Sequence, residues 1–325
     1  MSGIQGLGGA DLDDAVRAFI TRTGEDHARH AQGRALTPVE AREVAEKVRA
    51  PWRAGGPVMH RTTEAQAPSP HGPLRLRIHD PSPEPGKPIL VYVHGGGWML
   101  FSLETHDRLM REYAARAGVV VVGVDYALSP EAKFPLALEQ CLAAVRWAAD
   151  GGVGEAGDVS RLAMGGDSVG GNMSLASAVT LRDAGEGDLL KALMLHYGAF
   201  DTEIDVEHQI RFGGQGYMLT PEEMDVYWAA YLTDPAERTD PRAAPARAEL
   251  AGLPPVFLTI PACDVLTGQS LALADRLTAA GVPVRTEVYA GASHSFLEAV
   301  SISDLADRAL QDGSDWLAAT LAPAP

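Results

Sequence analysis

Apolar positions in the first sixty residues recur at helical spacing. Leu12, Val16, Phe19 and Ile20 fall at i, i+4, i+7 and i+8, one face of a helix. Thr37-Pro38-Val39-Glu40 then marks a second helix start, with Thr as N-cap, Pro in the first turn and Glu closing a capping box. From about Val58 the period shortens. The stretch from Pro57 to Ala67 and the alternating Leu74–Ile78 predict strands, and Pro81–Gly86 predicts a surface turn. Beyond it, apolar runs of strand length follow at Ile89–Val93, Val119–Val124, Leu162–Met164, Ala192–Leu195, Val256–Ile260 and Val284–Tyr289. Helical patterns separate most of them, as at Thr105–Ala117, Leu136–Ala149 and Ser270–Ala280. Apolar strands alternating with helices predict an α/β fold with a mostly parallel central sheet flanked on both faces by helices.

Two segments stand outside this rhythm. The N-terminal helices carry no recognisable chemistry, so covering another part of the molecule is their expected role. Between Tyr197 and Pro254 no strand pattern occurs, but Thr220-Pro221-Glu222-Glu223 repeats the capping signature, followed by Met224, Tyr227, Trp228, Tyr231 and Leu232 at helical spacing. That helix reads either as one more core helix or as a lid over the C-terminal edge of the sheet. The expected division is 1–55 as N-terminal cap helices and 56–325 as the catalytic domain, with a cap insertion at about 200–250.

Composition narrows the function. At 325 residues the chain can bury a large core, and 46% hydrophobic with 22% charged residues is ordinary for a soluble protein. A net charge of −16 argues against nucleic acid and against anionic membrane surfaces. Cys141 and Cys263 lie far apart and form no metal or disulfide framework, and Met1–Asp14 has neither a basic nor an apolar signal segment. A soluble cytoplasmic protein without metal or cofactor is the expectation.

The chemistry converges on Gly166-Asp167-Ser168-Val169-Gly170, entered from a strand and left by a helix. Glycines flanking a serine suit a sharp turn that lifts the hydroxyl clear of the sheet, and the next amide sits at a helix N-terminus. The second signal is His94-Gly95-Gly96-Gly97-Trp98, directly after a strand, where unobstructed backbone N–H groups can converge on a developing negative charge. His94 reads as a brace for that turn. Of the ten histidines, His294 alone follows the final strand and precedes the last helix, on the same sheet edge as Ser168. It is the expected general base. Asp264, just after Val256–Ile260, is the natural orienting acid. Asp201 and Asp205 are its competitors, and Asp167 reads as a brace of the serine turn.

These strings resemble the hormone-sensitive lipase-like (HGGG) family of α/β-hydrolase esterases, from about Arg75 to the C-terminus. The motifs are His94–Gly97, Gly166–Asn172, Gly291–Phe296, Asp125–Glu131 with Phe134-Pro135, and Gly252–Pro255. Within the family the nearest resemblance is to bacterial acetyl esterases. The resemblance implies a helical cap built from the N-terminus and the insertion after the sixth strand. It also implies an oxyanion hole from the amides of Gly95, Gly96 and Val169. Dimers are common among look-alikes, so a homodimer is the assembly it suggests. The chain departs from the family at Ala127, where arginine is usual, at Val169, where alanine is usual, and at Asp264-Val265-Leu266-Thr267-Gly268, which lacks the usual proline and charges.

The expected reaction is hydrolysis of a small-molecule ester. Ser168 attacks the carbonyl, His294 takes the proton, Asp264 orients the imidazole, and an acyl-enzyme is released by water. Trp98, Tyr197 and Trp228 are the expected substrate contacts, and with the bulk of Val169 they suggest a short, acetyl-type acyl group. Two other readings remain open: amide or N-acetyl hydrolysis of a specialised metabolite on the same machinery, and a non-catalytic small-molecule receptor on this fold.

Overall fold

The computed structural model describes residues 12–214 and 216–323. Residues 1–11, part of the segment read for a signal sequence, lie outside the described residues. In chain order the elements are α1 (Asp14–Ala31), α2 (Pro38–Arg53), β1 (Arg61–Ala67), β2 (Leu74–Asp80), β3 (Lys87–Val93), α3 (Asp107–Ala117), β4 (Val120–Val124), α4 (Leu136–Ala149), β5 (Gly157–Asp167), α5 (Val169–Asp183) and β6 (Ala192–His196). There follow α6 (Val206–Phe212), α7 (Pro221–Tyr231), β7 (Val256–Pro261), α8 (Thr267–Ala279), β8 (Val284–Tyr289) and α9 (Asp304–Thr320).

The eight strands form one sheet in the order β1-β2-β4-β3-β5-β6-β7-β8. β2 pairs antiparallel with both β1 and β4, and every pairing from β4 through β3 to β8 is parallel. β3, β4, β6 and β7 are buried almost throughout because helices cover both faces, which is why their sequences are continuous apolar runs. The outer strands β1 and β8 carry most of the exposed positions, the rest lying at the start of β5.

Both capping boxes form, at Thr37/Glu40 for α2 and at Thr220/Glu223 for α7. The clearest differences from expectation are at β1 and β5. β1 begins only at Arg61, and Val58 is 92% exposed, because the chain before it has no strand to pair with. β5 runs on to Asp167, since Gly165 and Gly166 keep the ladder to β3 and β6 without side chains that the apolar pattern could register.

Long tethers fix the N-terminal helices to the sheet edge. Arg42 on α2 donates to the carbonyls of Met99 (2.9 Å) and Ser129 (2.7 Å), and the Asp13 amide donates to Gly291 O at 3.0 Å. α6 and α7 occupy the interval between β6 and β7. No described helix is long and apolar enough to cross a membrane.

Candidate active site

Parallel strands deliver their C-terminal ends to one edge, and there the loops after β3, β5, β7 and β8 meet. The turn after β5 holds Ser168 at φ 53° and ψ −122°, a left-side backbone that positions its hydroxyl at the head of α5. Such a turn needs bare neighbours. A Cβ at Gly166 would lie 2.1 Å from Val93 O, and one at Gly170 would lie 1.9 Å from the same atom. The Ser168 amide donates to His196 O at 2.9 Å, tying the turn to β6.

His294 sits in the loop after β8 and Asp264 in the loop after β7. His294 Nε2 lies 2.9 Å from Ser168 Oγ, and His294 Nδ1 lies 2.7 Å from Asp264 Oδ2. All three side chains are buried, with Ser168 6% exposed. Asp264 Oδ1 accepts the Leu266 amide at 3.1 Å, and Thr267 Oγ1 donates to Pro261 O and Asp264 O at 2.7 and 2.8 Å. The local bonds of Thr267 therefore hold the departed acid loop in shape. Gly268 lets α6 approach, since a Cβ there would meet His208 Nδ1 at 3.1 Å. The competing aspartates are engaged elsewhere: Asp201 with Arg247 at 2.7 Å, Asp205 as N-cap of α6.

The glycine loop departs from expectation at one position. The Gly95 amide already donates to Asp167 Oδ1 at 3.1 Å, so it is not free for an oxyanion. Asp167 also accepts from Tyr92 Oη at 2.8 Å and pairs with His106 Nε2 at 3.3 Å, all buried. Gly96 and Gly97 line the cavity beside Ser168, and their amides have no hydrogen-bond partner among the described residues. Gly97 has φ 61°, and Tyr227 packs so closely that a Cβ there would lie 2.4 Å from its ring. Three consecutive glycines show in the sequence that a loop can offer amides. Which amides are free depends on where Asp167 reaches.

The proposed substrate contacts are also corrected. Trp98, Tyr197 and Trp228 are core residues and none lines the cavity. Trp98 stacks on Tyr231 at 4.2 Å and tilts against Trp228 at 4.5 Å, while Tyr197 sits edge-on behind His294 at 5.1 Å. Successive helical residues point about 100° apart, so on α7 Trp228 turns to the core and Tyr227 to the cavity. The Val169 side chain is fully buried and away from the cavity wall. The cavity measures about 370 Å³, with Ser168 and His294 at its base. Its walls come from α1 (Ile20, Thr23), α2 (Val48, Arg49) and α7 (Met224, Tyr227), and sequence reasoning missed Arg49 and Tyr227. The capped α7 pattern was the available signal for Tyr227. Arg49 had none.

Buried histidines around the site differ in charge. Burial, reinforced by His106, pulls His94 down to about 3, and burial pulls His196 down to about 4. His94 is held neutral between Tyr126, stacked at 4.4 Å, and Gly95 O at 2.7 Å, the bracing role expected of it. Burial also acts against the charge of His106, but the Asp167 carboxylate outweighs it and raises that imidazole. Conversely, burial acts against the Asp167 carboxylate, yet His106 and Tyr92 bring it down to about 2. Each partner therefore favours the charged form of the other. Acid acts first on the neutral imidazoles: below about 6.5 the unfolded chain takes up protons that native His94 and His196 refuse. Stability is expected to fall from pH 6.5 towards pH 4 by up to about 1.4 kcal/mol per pH unit for each of them. Urea midpoints measured across that range check this, and a flat profile would contradict it.

Residues 90–298 match a family model described as alpha/beta hydrolase fold. The chain is 35% identical over 273 residues to an acetyl esterase of Salmonella schwarzengrund, covering 83% of each chain. Among solved structures, a hyperthermophilic esterase from the archaeon Pyrobaculum calidifontis superposes with a TM-score of 0.88 at 30% identity, covering 96% of this chain and 100% of that one. A thermostable esterase from Pseudomonas putida gives 0.86 at 30% identity, covering 98% and 100%.

Proposed function

Since the chain belongs to the α/β-hydrolase fold family and is a carboxylic ester hydrolase, we propose that it cleaves short-chain acyl esters, acetyl esters first, through Ser168, His294 and Asp264. The observation that carries this reading is the relay of 2.9 Å from Ser168 Oγ to His294 Nε2 and 2.7 Å from His294 Nδ1 to Asp264 Oδ2. Ser168 Oγ forms the bond to the ester carbonyl carbon as His294 takes its proton. Asp264 holds the tautomer with the proton on Nδ1 and stabilises the imidazolium. His294 then gives its proton to the leaving alcohol, leaving an acyl-enzyme. Water, deprotonated by His294, attacks the acyl carbon and releases the acid and free Ser168.

The amides of Gly96, Gly97 and Val169 hold the oxyanion, each worth about 3 kcal/mol of transition-state stabilisation. Gly95 serves indirectly, by anchoring the loop to Asp167. α1, α2 and the insertion carrying α6 and α7 act as the cap, in line with their shared contribution to the cavity wall. The two buried cysteines, Cys141 and Cys263, and the charge of −16 suit a cytoplasmic enzyme acting on small esters, with no role in nucleic-acid binding.

A cavity of about 370 Å³ lies near the small end for ligand pockets, and the Salmonella relative is named for acetyl esters. With p-nitrophenyl esters of two to twelve carbons, kcat/KM is expected to peak at two to four carbons and fall about tenfold or more by eight. A maximum at eight carbons or beyond would sink the short-acyl assignment. Faster turnover of a matched N-acetyl than O-acetyl substrate would replace ester with amide hydrolysis.

A further inference from the structure

The cavity wall holds one buried cation. Arg49 enters from α2 with its side chain 6% exposed, and its Nε lies 2.7 Å from Glu298 Oε2, itself 3% exposed. The guanidinium carbon lies 5.3 Å from the ring centre of Phe19 on α1 and 4.8 Å from that of Phe101, which follows the glycine loop. Two aromatic faces and one carboxylate thus pin the plane of the group. Nε is close to that carboxylate but makes no hydrogen bond to it, and the terminal amino groups make none to any described residue, although Arg49 lines the cavity that also reaches Ser168 and His294.

Three neighbouring polar residues, Thr23, Glu223 and His27, are occupied or wet. Thr23 Oγ1 donates within α1 to Phe19 O and Ile20 O at 2.9 and 3.0 Å. Glu223 closes its own capping box, and His27 is exposed at the rim. A nearly buried guanidinium that makes an ion pair but no hydrogen bond, on the wall of a ligand cavity, has N–H groups left for an acceptor that arrives with the ligand.

Building on the ester-hydrolase reading, we propose that Arg49 is a specificity-determining residue whose terminal N–H groups bind a neutral acceptor oxygen on the substrate beyond the scissile ester. Fixed orientation means that little side-chain entropy is lost on binding, and the positive charge strengthens each hydrogen bond. Glu298 decides the charge of the ligand. Arg49 is already neutralised, so a substrate carboxylate would place a third charge in the same dry space with a net negative balance. An ether, hydroxyl or second ester carbonyl brings no such penalty. The substrate class is an ester of a small oxygenated molecule, on either its alcohol or its acyl side, in preference to a plain alkyl ester or an anionic one.

Two matched ester pairs test this: butyl acetate against 2-methoxyethyl acetate, and ethyl pentanoate against ethyl 3-methoxypropanoate. In each pair one methylene becomes an ether oxygen. The readout is the ratio of kcat/KM, oxygenated over alkyl, within one enzyme preparation, so a general loss of folded protein cancels. Arg49→Met combined with Glu298→Gln removes the donor without leaving a buried charge. The ratio is expected to fall about tenfold in at least one pair relative to wild type. Wild type is also expected to prefer methyl hexanoate to monomethyl adipate, whose chain ends in a carboxylate. Tyr227→Phe is the comparison, since its hydroxyl is another donor on the wall. A ratio that stays within twofold in both pairs, or one that moves with Tyr227→Phe instead, overturns the role of Arg49. Preference for the adipate overturns the neutral-acceptor assignment. Failure of wild type to turn over any of these esters would overturn the hydrolase reading itself, and the inference with it.

Discussion

Replacing Ser168 with alanine is expected to reduce kcat on p-nitrophenyl acetate by about 10⁴- to 10⁶-fold with KM changed little. In the proposed mechanism this hydroxyl forms the covalent bond, and no neighbouring group stands in for it. His294 Nε2 at 2.9 Å would then face a methyl group, although the imidazole keeps its 2.7 Å contact with Asp264. The variant should fold as wild type does, because the strained turn is held by the approach of Gly166 and Gly170 to Val93 and by the Ser168 amide on His196 O. A fluorophosphonate probe should label wild type at Ser168 and leave the variant unlabelled. Retention of activity within a hundredfold of wild type, or labelling at another serine, would remove Ser168 as nucleophile.

Asp167→Ala is expected to destabilise the protein by about 3–5 kcal/mol, the range for breaking a buried ion pair by deleting one partner. The carboxylate gathers three donors: Tyr92 Oη at 2.8 Å, Gly95 N at 3.1 Å and His106 Nε2 at 3.3 Å. Alanine leaves all three without a partner in a site where water has no ready access. Asp167→Asn should cost less, because its amide oxygen can still accept from Tyr92 and Gly95 once His106 gives up its proton. Urea denaturation with an unchanged m-value would show the graded order, wild type above Asn above Ala. kcat should follow the same order, since freeing Gly95 lets the Gly96 and Gly97 amides drift from the oxyanion position. A loss below about 1 kcal/mol for the alanine variant would show that the ion pair is not what holds this loop.

Asp167 also shows where pattern reading stops. Its adjacency to Ser168 suggested a brace for the serine turn, yet the groups it grips belong to β3, the glycine loop and the start of α3, distant in sequence by 75, 72 and 61 residues. That reach removes Gly95 from the set of free amides and leaves Gly96 and Gly97 as the ones without a partner among the described residues. Trp98, Tyr197 and Trp228 misled for a related reason. Large aromatics beside a site attract a substrate assignment, but Trp98 and Trp228 fill the space beneath α7 and Tyr197 backs His294. Periodicity places Tyr227 and Trp228 on one helix without saying which faces the cavity, because that depends on what packs against each side.

Local chemistry was enough for the rest. Continuous apolar runs separated by amphipathic helices can be buried only in a covered parallel sheet, and such a sheet brings every strand-to-helix loop to one edge. Ser168, Asp264 and His294 each follow a strand, so the sequence alone brought them to one edge, and it alone determined both capping boxes and the glycine-flanked turn. Asp201 and Asp205 were set aside only by their partners in the structure. The tertiary structure alone decided which glycine amides stay free, which aromatic faces the ester, and that Arg49 from α2 meets Glu298 and Phe101 at the cavity wall. Those outcomes depend on contacts of about 3 to 5 Å between groups far apart in the chain. Hydrophobic periodicity carries no information at that scale.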